Sequence, residues 1–251
     1  MKRIDLNADL GEMDTPEGHA SDAAILGVVS SAPIACGGHA GDRDTMRRAV
    51  GEALRNGVRI GAHPAYPDRA NFGRQPGFPI SHEDLQNTLM EQVTTLAEVA
   101  AEAGAEVAYV KPHGALYNDA VADAGLADVV AQTVAALDPN LALMGAPNSE
   151  MGRAAESAGL AFLPEGFIDR RYSDAGHLVS RRQSNAILDT DAERLVQMES
   201  LVRDGEVVSE TGRRIALGVA TLCLHGDSPG ARDTARAARA RLEQLGFEVR
   251  A

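Results

Sequence analysis

The chain has 251 residues, 36 acidic against 24 basic side chains, and a formal charge of −12. With 44% hydrophobic and 24% charged residues it is neither disordered nor fibrous, and its acidity argues against nucleic acid as a partner. No apolar run reaches the length of a membrane span, residues 1–5 form no apolar leader, and two cysteines make no disulfide framework, so a reduced, cytoplasmic protein is expected.

In chain order, strand-length apolar runs fall at 4–9, 33–36, 58–62, 107–111, 141–144, 161–163 and 220–224. Helical patterns fall at 21–31, 42–56, 81–103, 122–137, 148–158, 191–203 and 229–245, several stopping on glycine, as at Gly57, Gly104, Gly159 and Gly246. Strict strand–helix alternation implies a parallel sheet covered by helices. Seven or eight such units within one domain (1–251) imply an α/β fold, a (β/α) barrel-like sheet of irregular, seven-stranded type; a doubly wound open sheet is the alternative. Residues 64–79 and 165–189 interrupt the rhythm, and loops of that length in a compact domain usually serve function.

The first strand alternates Asp5, Asn7 and Asp9 with Ile4, Leu6, Ala8 and Leu10, so its polar residues share one face, expected to line the barrel. The Asp-x-Asn-x-Asp spacing also suggests a calcium loop, but its glycine comes one place late and the strand pattern contradicts it. Buried carboxylates need a cation, a metal or a ligand. In parallel α/β proteins the ligand site lies beyond the carboxyl ends of the strands. There the chain places Asp9 and Glu12, then Cys36 to Asp42 with His39, then His63, Lys111 and His113, Glu165 with Asp169 and Arg170, and finally His225 and Asp227. Four of the 7 histidines stand at these ends, which chance scatter would not produce.

Each feature has a plainer reading. Cys36 and Cys223 read as small core residues, and Cys36–His39 as a metal pair lacks a second pair to close a zinc site. Arg170, Arg171, Arg181 and Arg182 either face water or bind an anion; Tyr66, Phe72 and Tyr117 either pack or wall a small ring. Lys111 is expected at the rim, and the turn Gly37-Gly38 with Gly41, before the helix, is a candidate anion cradle. No P-loop, dinucleotide fingerprint or Gly-x-Ser-x-Gly elbow is present. The set suits hydrolysis of an amide or ester by activated water.

The stretches Ile4–Glu12, Ile34–Asp42, Ile60–Asp68, Phe72–Arg74, Val110–Asn118, Glu165–Tyr172 and Cys223–Asp227 resemble the LamB/YcsF family along the whole chain, with Gly38 replacing a common aromatic and Ala65 a common glycine. The resemblance implies a barrel of the glycoside hydrolase/deacetylase type. It also implies a 5-oxoprolinase A subunit that, with B and C subunits and ATP, opens 5-oxoproline to glutamate. The candidate catalytic residues are then Asp9, Glu12, His39, Lys111 and His113. The candidate substrate-binding residues are Asn7, Asp42, His63, Tyr66, Arg74, Glu165, Asp169, Arg170, His225 and Asp227. Asp9, His39 and His63 are the metal candidates, for a metal expected to be weak or absent. The alternative function is a stand-alone metal-dependent deacetylase or amidase, which would use Zn²⁺ at those three residues and need no ATP.

Overall fold

The computed structural model describes residues 2–226 and 230–251. Chain order runs β1 (Lys2–Asp9), α1 (Pro16–Leu26), β2 (Ser31–Ala35), α2 (Arg43–Asn56), β3 (Arg59–His63), α3 (His82–Glu102), β4 (Tyr109–Val110), α4 (Gly114–Asp119) and α5 (Ala124–Leu137). There follow β5 (Ala142–Gly145), α6 (Glu150–Ser157), β6 (Phe162–Phe167), α7 (Asp191–Asp204), β7 (Glu206–Val208), β8 (Arg214–Ala216), β9 (Thr221–His225), α8 (Ala231–Gln244) and β10 (Phe247–Val249). Strands β1 to β6 and β9 pair in parallel, and β9 pairs with β1, closing a seven-stranded barrel. The open-sheet alternative is thereby excluded.

The ladder between β1 and β2 is interrupted: they share the Asn7–Ser31 pairing and, beyond a gap, a bridge at Leu10–Ile34. Pro33 explains the gap. Its carbonyl accepts from Leu10 N–H, so its nitrogen faces β1 too, and proline has no hydrogen to return.

Ile4, Leu6, Ala8 and Leu10 join the main apolar core with Ile25, Leu26 and Leu242 from the helices. The opposite face of β1 looks into the barrel, as its alternation predicts. At its lower end Asp5 accepts from the hydroxyls of Ser30, Ser31 and Thr221, each at 2.6 Å, so this carboxylate is satisfied without a cation. Tyr109, buried in a small second cluster with Ala142 and Met144, sits close against Gly61, where any Cβ would collide with its ring.

The first helix starts five residues earlier than expected: Thr15 caps it by accepting from Gly18 N–H, and Pro16 occupies its first turn. The chain then turns at Gly27 and enters β2 at Ser31, where a helix was expected to end. Helix α4, the β7–β8 hairpin and β10 were not expected. All are short, and too few residues carry a readable period.

Candidate active site

Three strands, β1, β4 and β6, bring together one buried ionic triad. Lys111, which follows β4, places its ammonium 2.8 Å from Asp9 and 2.7 Å from Glu165. It also lies 3.3 Å from Asn7 Oδ1 and 3.2 Å from Cys223 Sγ. Asn7 in turn donates to Glu165 Oε1 and Thr221 Oγ1. The expectation that Lys111 stands at the rim is wrong: it is 2% exposed and occupies the barrel interior, because it shares an inward face with Tyr109 two residues before it. Burial would push its ammonium down, but Asp9 and Glu165 outweigh burial and hold it well above the usual lysine value. Burial would likewise raise the Asp9 carboxyl, and Lys111, the strongest opposing influence, instead holds it well below the carboxylate range.

Beside the triad lies a group of three imidazoles and one carboxylate. His39 Nε2 is 2.9 Å from Glu12 Oε1, and His113 Nδ1 is 3.3 Å from the same oxygen. The His39 and His113 rings stack with centroids 3.5 Å apart, and His63 meets His113 edge-on. Burial lowers the affinity of both stacked rings for a proton; for His113 the neighbouring His39 and His63 add to it, and for His39 the Glu12 carboxylate opposes it. The loop carrying Glu12 is anchored where Gly11 N–H donates to Asp22 on α1. Ligating atoms of Glu12, His39, His63 and His113 lie within 4.8 Å of one another, a group that shares His39 and His63 with the metal candidates read from sequence but has Glu12 and His113 in place of Asp9.

A cavity of about 420 Å³ opens over both groups, lined by Asp9, Glu12, His63, Lys111 and His113, with Tyr117, Phe167 and His225 among its walls. Arg74, Arg170, Arg181 and Arg182 also line it. Arg170 is buried and donates to the carbonyls of Val179 and Ala186, so one of its tasks is to hold the 168–190 segment over the cavity. His225 is oriented by Asp169, whose carboxylate lies 2.9 Å from His225 Nδ1. Against the rise that burial would cause, His225 brings Asp169 down to about 2. That depression stabilises the fold above the ordinary Asp value near 4 and is lost as pH falls through about 2, an effect of roughly 2 kcal/mol. Asp169→Asn is therefore expected to melt below the wild type at pH 6 and to close most of that gap between pH 4 and pH 2; a gap constant with pH would overturn the assignment.

Several sequence candidates stand elsewhere. Asp42 caps α2, accepting from the N–H groups of Asp44 and Thr45, and Arg69 donates to the carbonyls of Gly37 and Gly41. The glycine turn is therefore no anion cradle, because Asp42 already takes the helix amides. Tyr66 packs on Phe78 and donates to Asp119, which lines the cavity, but does not line it itself. His39 reaches Glu12 but lines a second cleft, with Arg69 and Phe72, on the far side of that contact. Asn7 and Glu165 are fully buried beneath the cavity, acting through Lys111. Cys36 is buried, and among the described residues the ligating atoms gathered around His39 come from Glu12, His63 and His113 and not from Cys36. Asp227, and Pro229 at the expected start of the last helix, lie outside the described residues.

Sequence reasoning missed Thr221, Cys223 and Phe167 as parts of the site. The signal was available: Thr221, Cys223 and His225 alternate along β9 as Asn7 and Asp9 do along β1, and share the inward face. The two departures from the family pattern also meet. The Gln92 amide spans the N–H and carbonyl of Ala65, and it occupies the space that any side chain at Gly38 would need. Gly73, held at φ +63°, touches the histidines directly; a Cβ there would lie 2.9 Å from His39 Cβ and 3.1 Å from His113 Cδ2. Gly73→Ala is expected to cost roughly 1–3 kcal/mol. An unchanged urea midpoint would show that the loop shifts freely.

Fold and site define a class, a parallel α/β barrel with carboxylates, imidazoles and a buried lysine gathered at the carboxyl ends of its strands. The chain belongs to the LamB/YcsF family, whose model matches residues 4–251. It is 44% identical over 250 residues to the A subunit of 5-oxoprolinase from Methylococcus capsulatus, covering 100% of this chain and 96% of that one. The crystal structure of the lactam utilization protein from Thermus thermophilus is similar at 36% identity and TM-score 0.91, covering 99% of both chains. A peptidoglycan deacetylase from Bacillus subtilis is similar at 9% identity and TM-score 0.50, covering 99% of this chain and 86% of that one, a likeness of fold alone. Among the described residues no helix is long and apolar enough to cross a membrane.

Proposed function

We propose that the chain is the A subunit of a cytoplasmic 5-oxoprolinase, working with B and C subunits and ATP to open 5-oxo-L-proline to L-glutamate. The observation that carries this reading is one cavity floored both by Asp9 and Lys111, which Glu165 backs from beneath, and by Glu12 with His63 and His113. A lactam is a resonance-stabilised amide, so ring opening needs a base for the attacking water, stabilisation of the developing oxyanion and a proton for the departing nitrogen. Glu12, which reaches the cavity, takes the proton from water and returns one to the nitrogen, while His39 Nε2, 2.9 Å from its Oε1, holds its carboxylate in place. Asp9, kept ionised by Lys111, orients the substrate's N–H. Tyr117 and Phe167 wall the ring, and the arginines receive its carboxylate.

ATP would supply phosphoryl activation of the lactam oxygen. The residues here do not fit it: the glycine-rich turn before α2 is closed by Asp42 and Arg69. We therefore assign the nucleotide to the B and C subunits. The test is glutamate release from 5-oxoproline by the purified chain, alone and with the B and C subunits and ATP. Release only in the complete mixture supports the reading. A complete mixture that forms no glutamate sinks it, and amide or ester hydrolysis by the chain alone favours the deacetylase alternative.

A further inference from the structure

We infer that Glu12, His63 and His113 form a binding site for one divalent transition-metal ion of the zinc class. The argument begins with two backbone carbonyls. His63 Nδ1 lies 2.7 Å from the Lys111 carbonyl and His113 Nε2 lies 3.0 Å from the Phe72 carbonyl. A carbonyl only accepts, so those nitrogens carry the ring hydrogens and the opposite ones are bare in the neutral rings. The bare nitrogens, His63 Nε2 and His113 Nδ1, face each other at 3.0 Å. Around them stand Glu12 Oε1, 3.3 Å from His113 Nδ1, and Asp9 Oδ2, 3.4 Å from His63 Nε2. Only acceptors converge there, and their lone pairs repel unless a positive centre lies between them.

A proton on either ring is one such centre, but it lies along a single contact and leaves the remaining acceptors facing one another. A metal ion meets the geometry better. Bonds of about 2.1 Å set adjacent ligand atoms roughly 3.0 to 3.4 Å apart, for right-angled and tetrahedral arrangements respectively. The observed separations of 3.0 and 3.3 Å fall in that range. Histidines oriented by carbonyls through their second nitrogen are the usual supporting layer of a metal site. Two imidazoles and one carboxylate favour zinc-like ions over Mg²⁺ or Ca²⁺, which take oxygen ligands. His39 braces the same Glu12 oxygen from behind, and its own Nδ1 is buried without a hydrogen-bond partner, as expected of a ring whose one hydrogen points at Glu12. Glu12, His63 and His113 all line the large cavity, so the remaining coordination positions would face it.

The test uses chelator-stripped full-length protein with Zn²⁺, Co²⁺ or Mg²⁺ alone, read by calorimetry, elemental analysis after dialysis, and the visible spectrum of the Co²⁺ form. One equivalent of Zn²⁺, a raised Tm and ligand-field bands from Co²⁺ are expected, with Mg²⁺ binding far weaker. His63→Gln and His113→Gln should each weaken Zn²⁺ binding by on the order of 100-fold or more. Glu12→Gln, on a loop and not built into the barrel wall, keeps the test open if those two fail to fold, and should weaken binding at least about tenfold. His19→Gln, at an exposed pair with Asp14, should change nothing. Absence of stoichiometric Zn²⁺, preference for Mg²⁺, or undiminished binding in the folded site variants overturns the inference. Binding is read without substrate, ATP or partners, so its outcome is separate from that of the lactam reading.

Discussion

Lys111→Met is expected to unfold at a markedly lower temperature and to lose partner-dependent glutamate release. The methionine keeps the aliphatic stem but leaves Asp9 and Glu165, both buried, without their shared cation. Removing one member of a buried ionic group typically costs on the order of 3–5 kcal/mol, which for a chain of this size is a fall of roughly 6 to 20 °C in Tm. Adding Glu165→Gln to Lys111→Met removes one of the stranded charges, so the double variant should regain part of that stability. It should not regain turnover, because Asp9 still lacks the ammonium that keeps it ionised. Differential scanning calorimetry of the three proteins beside the reconstituted assay decides the matter. Near-normal melting of Lys111→Met would contradict the charged triad, and near-normal glutamate release would contradict its part in the reaction.

Glu12→Gln should separate turnover from stability. Its carboxylate lies on the β1–α1 connection, outside the strand that carries Asp9 into the ionic triad. Loss of a general base costs about a hundredfold to ten-thousandfold in rate, and we expect a loss of that order with a Tm close to wild type. Asp9→Asn should lose activity and stability together, since Lys111 then faces Glu165 with only a neutral amide opposite. Paired measurements of Tm and glutamate release for the two variants check both statements. If Glu12→Gln keeps most of its activity, the base is not Glu12, and His113, which touches the same oxygen, takes its place.

Legibility followed local periodicity. The alternation from Ile4 to Leu10 placed Asn7 and Asp9 inside the barrel correctly, and the recurrence of strand-length runs pointed to a closed parallel barrel. Strand ends were harder. Lys111 follows a strand of only two residues, Tyr109–Val110, too short for sequence to say which way its next side chain turns, and it was expected at the rim. Asp42 looked like a site residue by its position after β2. Its capping of α2 is equally local, but a carboxylate before a helix serves either purpose in sequence, and only the contacts choose.

By itself the sequence determined the alternating strands and helices, the polar face of β1 and the gathering of histidines at strand ends, because these depend on a period or on chain order. Tertiary structure alone decided the partners: that Lys111 neutralises both Asp9 and Glu165, each carried by a different strand, and that His63 Nε2 and His113 Nδ1 stand 3.0 Å apart. The physical reason is that a buried charge or lone pair acquires its meaning from what lies within about 4 Å of it, and in a parallel barrel those neighbours come from strands joined only through long helical crossovers.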